Sequence, residues 1–137
     1  MDRMQSLGMK IGVLARRSGM SVKTLRFYEE LGLLPAIGRS DGGYRLFAEG
    51  SLQRLELIRR LKTLGLSLEE IRGCLAVHDA GELPCGDIRM QLERQIGRVE
   101  ERIRELRQLR TELQGLLAGW QSDPAKEDDV ICPNLRV

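Results

Sequence analysis

The chain has 137 residues, of which 42 % are hydrophobic and 31 % are charged, and its formal net charge is +2. This length allows one modest domain with an appended element, and no apolar stretch is long enough to span a membrane. The start of the chain lacks the apolar core of a secretion signal. An odd number of cysteines, three, favours reduced thiols, so we expect a cytoplasmic protein.

The charge is distributed unevenly along the chain. Residues 1–62 carry 12 Lys and Arg against 6 Asp and Glu, whereas residues 63–137 carry 10 against 14. A basic first half and an acidic second half suit a nucleic-acid-binding region joined to a region with another task. We do not expect an enzyme, because the sequence has one histidine, no nucleophile–base pair and no glycine loop that would cradle a phosphate.

Two short helices are predicted first. An apolar side begins at residue 11, and Gly19 suits the left-handed residue that ends such a helix. Ser21 is a good N-cap for a second helix, which Gly32 stops and Pro35 prevents from resuming. The positions that face inward on this second helix recur at helical spacing and are Val22, Leu25, Tyr28 and Leu31.

A β-hairpin is predicted next, because Asp41-Gly42-Gly43 is a strong turn signal between two short extended runs. Two short helices followed by a hairpin form a winged helix-turn-helix, whose second helix lies in the DNA major groove. Lys23 and Arg26 lie on the solvent side of that helix. The sequence therefore predicts a mainly α fold with a small β-hairpin wing.

Residues 10–47 closely resemble the MerR family of transcription regulators, and the resemblance continues to about residue 119. The motifs that carry it are Lys10-Ile11-Gly12, residues 24–29 (TLRFYE), Gly32-Leu33-Leu34-Pro35, Arg39-Ser40-Asp41-Gly42 and Gly43-Tyr44-Arg45. It implies a homodimer that binds double-stranded promoter DNA and distorts it, so that RNA polymerase can engage promoter elements whose spacing is otherwise too long. The implied DNA contacts are Lys23, Thr24, Arg26, Tyr28, Arg39, Tyr44 and Arg45, with packing as an alternative role for Tyr28.

Three more helices are predicted. The first covers residues 49–63 and places four apolar residues on one stripe: Leu52, Leu55, Ile58 and Leu61. The second runs to about residue 77 and begins at a capping-box candidate formed by Ser67 and Glu70. Together with the winged motif, these two helices complete a DNA-binding domain over residues 1–80. The third helix, in the segment 84–119, has two apolar registers with a period of seven: Leu92, Val99, Leu106 and Leu113, and Ile96, Ile103 and Leu117, the latter interrupted by Arg110.

That long helix would measure about 50 Å at about 1.5 Å per residue, too long for so small a core to cover. Its apolar seam therefore needs a partner helix, and the resemblance implies an antiparallel coiled coil in a homodimer. A dimer also suits palindromic DNA. Residues 120–137 then form a short C-terminal effector loop and tail.

The three cysteines differ in their surroundings. Cys74 lies between Ile71 and Leu75, which favours a small buried residue. Cys85 opens the long helix and Cys132 follows it, and the resemblance implies that divalent-metal sensors of the family place thiolate ligands at these positions. Cys85 and Cys132 would be co-ligands across the dimer interface. Soft thiolates select Hg, Cd, Pb, Zn or Cu(I).

The effector loop departs from the pattern of the metal sensors. They usually carry a further Cys where this chain has Trp120, and the loop is a few residues longer here. A carboxylate of that loop could supply a third ligand, although solvent exposure is its default state. The alternative is that the metal site has been replaced, with Trp120 in a pocket for an organic effector or with cysteines that sense oxidants or electrophiles. A DNA-binding architectural or accessory protein is a further alternative, which the long helix and the loop disfavour.

Overall fold

The computed structural model describes residues 8–135. The outer ends of the predicted segments 1–80 and 120–137 therefore lie outside the described residues. The chain divides after Leu92 into two compact units.

The first unit contains three short strands and four complete helices. In chain order these are β1 Gly8–Lys10, α1 Ile11–Ser18, α2 Val22–Glu30, β2 Gly38–Arg39, β3 Arg45–Ala48, α3 Ser51–Thr63 and α4 Leu68–Asp79. The last helix, α5 Cys85–Ala118, begins in the first unit and continues into the second. The mainly α fold with a hairpin wing and a long final helix is confirmed.

The strands form one antiparallel sheet in the order β1-β3-β2. In this sheet Met9 is paired with Phe47, and Arg39 is paired with Arg45. The sequence did not predict β1, because three residues are too few to show an alternating pattern. Its pairing with β3 ties the start of α1 to the wing.

Local signals set the turns of the winged motif as predicted. Gly19 ends α1 in the left-handed conformation, with φ of +73°. The Ser21 hydroxyl accepts a hydrogen bond from the Thr24 backbone N–H at 3.0 Å and so caps α2. The capping box of Ser67 and Glu70 opens α4. Helix boundaries in this half of the chain therefore follow from short-range chemistry.

One hydrophobic core holds the first unit together. Its fully buried members come from every helix of the motif, from β3 and from the turn after α2, and include Leu14, Leu25, Leu33, Leu34, Phe47, Leu55, Ile58, Ile71 and Leu75. Ile88 and Leu92 of α5 pack against this core. The first two turns of α5 are thereby fixed to the helices that carry the wing and α2.

The second unit contains the remainder of α5 and the loop after it, and its apolar residues are exposed in the single chain. The exposed apolar residues of α5 here are Ile96, Val99, Ile103, Leu106, Leu109, Leu113, Leu116 and Leu117. Leu109 and Leu116 were absent from the predicted registers. Leu109 lies beside Arg110, so the apolar stripe continues past the predicted interruption. Among the described helices, none is both long and apolar enough to cross a membrane.

Candidate nucleic-acid interface and effector loop

Helix α2 presents basic side chains beside its capped first turn. Lys23 and Arg26 are exposed, and Thr24 is half-buried. The Ser21 hydroxyl donates to the Thr24 hydroxyl oxygen at 2.9 Å, which holds the Thr24 side chain at the helix end. Backbone N–H groups at a helix N-terminus and nearby cations together attract phosphate.

Tyr28 differs from the other predicted DNA contacts. It is 5 % exposed and belongs to the hydrophobic core. Its ring centroid lies 6.3 Å from that of Phe27, which is itself about half exposed. The structure therefore favours the packing role for Tyr28 over a direct contact with DNA.

The wing is held in shape by several polar contacts around its turn. The Ser40 hydroxyl accepts from the Tyr44 backbone N–H at 3.2 Å, and the Ser40 N–H donates to the Tyr44 carbonyl at 2.7 Å. Arg39 donates to the Gly43 carbonyl at 2.9 Å. Gly43 has φ of +83°, a conformation in which a side chain would be strained. The wing turn is therefore rigid and presents Tyr44, which is 60 % exposed.

Two further contacts tie the wing to the rest of the first unit. Arg45 of β3 donates a hydrogen bond to Glu29 of α2, forming an ion pair between wing and helix. The Lys10 ammonium lies 4.5 Å from the centre of the Tyr44 ring, within cation–π range. The roles of Glu29 and Lys10 were not predictable from the sequence, because both contacts join residues far apart in the chain.

A cleft of about 510 Å³ separates α2 from the wing. Its lining includes Lys10, Ile11, Arg26, Glu29, Glu30, Arg39, Gly43, Tyr44, Arg45 and Phe47. Four of these side chains are cationic and two are carboxylates, so the cleft keeps a positive excess. The structure thus brings four of the predicted DNA contacts, Arg26, Arg39, Tyr44 and Arg45, to one surface.

A nearly buried arginine connects three segments behind this surface. The Arg54 side chain is 10 % exposed and donates to both Asp79 carboxylate oxygens, at 2.6 and 3.0 Å. Its Nε also donates to the Leu33 carbonyl, in the turn after α2, at 2.5 Å. The hydrogen bonds from Arg54 hold the pKa of Asp79 below its usual range. Asp79 ends α4, so Arg54 links the turn after α2 to the segment leading to α5.

The cysteines lie in three different environments. Cys74 is 1 % exposed, and burial, with smaller contributions from the charges of Asp87 and Glu70, raises the pKa of its thiol. The prediction of a small buried residue is confirmed there. Cys85 is the first residue of α5 and is exposed, while Cys132 is partly buried in the loop. Cys85 and Cys132 are thus more accessible than Cys74.

The loop after α5 is held by a side-chain contact. The Asn134 amide forms two hydrogen bonds with the backbone of Gln121, each 2.8 Å long. Trp120, just before this contact, is 45 % exposed. Within residues 8–135, no three His, Cys, Asp or Glu side chains are grouped as metal ligands would be.

These features define a winged helix-turn-helix DNA-binding protein with a long helical extension. The family described as MerR HTH family regulatory protein matches residues 9–77, and the one described as MerR, DNA binding, matches residues 52–116. The chain belongs to the MerR family and is a DNA-binding transcriptional regulator.

Known relatives cover most of the chain. The HTH-type transcriptional regulator ZntR homolog of Haemophilus influenzae is 40 % identical over 105 residues, which are 77 % of this chain and 78 % of that protein. The regulator PbrR691 of Ralstonia metallidurans CH34, solved in complex with lead(II), is 39 % identical with a TM-score of 0.74, over 85 % of this chain and 91 % of that one. HiNmlR, a MerR family regulator lacking the sensor domain and bound to promoter DNA, is 33 % identical with a TM-score of 0.55, over 81 % of this chain and 88 % of that one.

Proposed function

We propose that the chain is an effector-responsive regulator that binds promoter DNA through α2 and the wing. The observation that carries this proposal is the cleft where Arg26, Arg39 and Arg45 converge beside the exposed Tyr44. Lys23 and Thr24 extend the contact to the capped end of α2, which enters the major groove. The relative HiNmlR, solved on promoter DNA, supports the same use of this fold.

The exposed apolar face of α5 supports a homodimer. Leucine and isoleucine side chains that are about half exposed along several turns require a cover, and an antiparallel α5 from a second copy provides one. Two winged motifs then bind the two halves of a palindromic site. We propose that effector binding changes how the two motifs bend and untwist the promoter, so that RNA polymerase can use it. Deforming DNA in this way costs about 1–10 kcal/mol.

For the effector, we propose a thiophilic metal ion held by Cys85 and the partner's Cys132. The supporting observations are that these two thiols are accessible, whereas Cys74 is buried, and that a relative was solved with lead(II). Within residues 8–135 of one chain, no three His, Cys, Asp or Glu side chains are grouped as metal ligands would be. Two thiolates are sufficient for linear Hg(II) or Cu(I), whereas a closed Zn site needs four ligands.

The second candidate is an effector that is not a metal. Trp120 is about half exposed and cannot ligate a metal, so it could line a pocket for an organic molecule, and the accessible thiols could instead react with oxidants or electrophiles. Reversible oxidation of accessible thiolates is a known route to regulation.

Metal titration of the reduced protein distinguishes these candidates. We expect Hg(II), Cd(II), Pb(II), Zn(II) or Cu(I) to produce thiolate charge-transfer absorption and a change in Trp120 fluorescence at stoichiometric ratio. The double variant Cys85→Ser, Cys132→Ser should lose this signal and the response of a promoter assay. Cys74→Ala is the matched control, because it removes a buried thiol, and should retain both. Metal sensing is refuted if none of the five ions binds tightly or if the double variant still responds.

A further inference from the structure

We propose that Asn134 is a positioning residue, which holds the Cys132 thiol at the end of α5 before any effector binds. The inference rests on the proposed role of Cys132 in sensing. The contacts that support it all lie within residues 120–135, the described part of the effector loop, which belongs to the second unit.

The contact is specific to an amide side chain. Asn134 Nδ2 donates to the Gln121 carbonyl oxygen at 2.8 Å, and Asn134 Oδ1 accepts from the Gln121 N–H at 2.8 Å. One side chain thus satisfies both polar groups of one backbone residue, as a paired strand does in a sheet. An aspartate has no donor at neutral pH, so it would place a carboxylate oxygen against the Gln121 carbonyl.

The position of Asn134 in the loop makes this contact relevant to Cys132. Only Pro133 separates the two residues, and its ring restricts the backbone between them. The Leu135 N–H donates to the Cys132 carbonyl at 3.0 Å, which closes a turn around the same three residues. Fixing Asn134 on Gln121, three residues beyond the end of α5, therefore fixes the backbone of Cys132 as well.

A fixed thiol favours ligand binding for an entropic reason. The segment between Gln121 and Asn134 has no helix or strand, so without the contact it would have to be ordered when the effector binds. Ordering before binding removes that cost from the affinity. Asn134 is the only asparagine in the chain, so its side chain can be followed alone by selective isotope labelling.

The first experiment measures the alkylation of Cys132 in the full-length, reduced, metal-free protein, with iodoacetamide and peptide mass spectrometry. We expect Asn134→Ala to raise the rate at Cys132 several-fold, because the partly buried thiol is released, and to leave the rate at Cys85 unchanged. Gln121→Ala is the matched control, since the contact uses only the Gln121 backbone, and it should match the wild type. Equal rates at Cys132 in Asn134→Ala and wild type would overturn the proposal.

The second experiment measures the affinity for Cd(II) by competition with a chelator. Asn134→Ala loses both hydrogen bonds, each with a modest net value. Asn134→Asp loses the donor and sets a carboxylate oxygen against the Gln121 carbonyl. We therefore expect both variants to bind about tenfold more weakly. If the wild type binds no metal but Asn134→Ala still changes the alkylation rate at Cys132, metal sensing is refuted and the positioning role is supported. If the wild type binds Cd(II), and Asn134→Ala has the same alkylation rate and the same Cd(II) affinity as the wild type, the positioning role is refuted and metal sensing stands.

Discussion

Single side chains on α2 and the wing form the proposed DNA-binding surface because their neighbours restrain them. Arg26 is an exposed cation on the wall of the cleft, and Arg45 opposite it is paired with Glu29. The arginine fork suits bidentate contacts with phosphate or guanine. Arg26 therefore provides the sharpest test of this surface.

We expect Arg26→Ala to weaken operator binding by about 1–3 kcal/mol while the dimer stays intact. If Arg26 contacts a phosphate, the salt slope of binding should also fall by about one, whereas a base contact would instead relax sequence preference. Fluorescence anisotropy with labelled operator over a range of salt concentrations measures both quantities. Arg72→Ala, which removes an exposed arginine paired within α4, is the matched control. An unchanged affinity in Arg26→Ala would remove Arg26 from the interface.

The Arg54–Asp79 pair gives a prediction of pH dependence. The pKa of Asp79 is lowered in the folded protein, so its charged form stabilises the fold above the ordinary carboxyl pKa. That stabilisation is lost as the pH falls through the lowered pKa. Because Asp79 is about half exposed, we expect Asp79→Asn to cost about 1 kcal/mol or less at neutral pH.

Urea unfolding of the wild type and Asp79→Asn, followed by circular dichroism from pH 7 downwards, measures this difference. The two curves should converge in acid. Glu49→Gln is the control: its carboxylate also has a lowered pKa, through hydrogen bonding with Arg17, but that pair is exposed on both sides. A pH-independent difference for Asp79→Asn would contradict the proposed linkage.

At the scale of whole elements, short-range capping decides where α2 begins. The Ser21 hydroxyl accepts from the Thr24 N–H, one of the helix donors that would otherwise lack a partner. We expect Ser21→Ala to lower the free energy of unfolding by about 0.5–2 kcal/mol. Chemical denaturation measures this loss, with Ser122→Ala in the exposed loop as control. Equal stability of the two variants would show that α2 does not depend on its cap.

The helices were predictable and strand β1 was not, for one physical reason. Helix α4 shows its capping box and periodic apolar residues within a dozen positions, so local sequence contains the signal. Strand β1 exists only because Met9 pairs with Phe47, 38 positions away in the sequence. Among the candidate site residues, Arg26 and Tyr44 could be proposed from motif and resemblance, whereas the contacts of Glu29, Lys10 and Asn134 follow from no local pattern.

At the scale of the whole molecule, the apolar stripe of α5 is the feature that a single chain cannot satisfy. Leu113, in the C-terminal part of the exposed stripe in the second unit, is 52 % exposed. We expect Leu113→Arg to convert the proposed homodimer to monomer, because a buried seam does not tolerate an unpaired charge. Sedimentation velocity over a range of concentrations measures this change.

The control for that variant is Leu83→Arg, which changes a leucine that is 84 % exposed and lies before α5. It should leave the oligomeric state as in the wild type. If Leu113→Arg sediments like the wild type, the stripe is not the dimer interface. Loss of operator affinity together with loss of the dimer would show that both winged motifs bind DNA jointly.

The sequence by itself determined the helix boundaries, the wing turn, the family and the period of α5. Each of these depends on residues close together in the chain or on short sequence motifs. Only the tertiary structure decided that Arg45 pairs with Glu29 and that the Asn134 side chain hydrogen-bonds the backbone of Gln121 in the loop after α5. These outcomes depend on which distant groups become neighbours when the chain folds. That information lies in long-range packing, which periodicity and spacing do not contain.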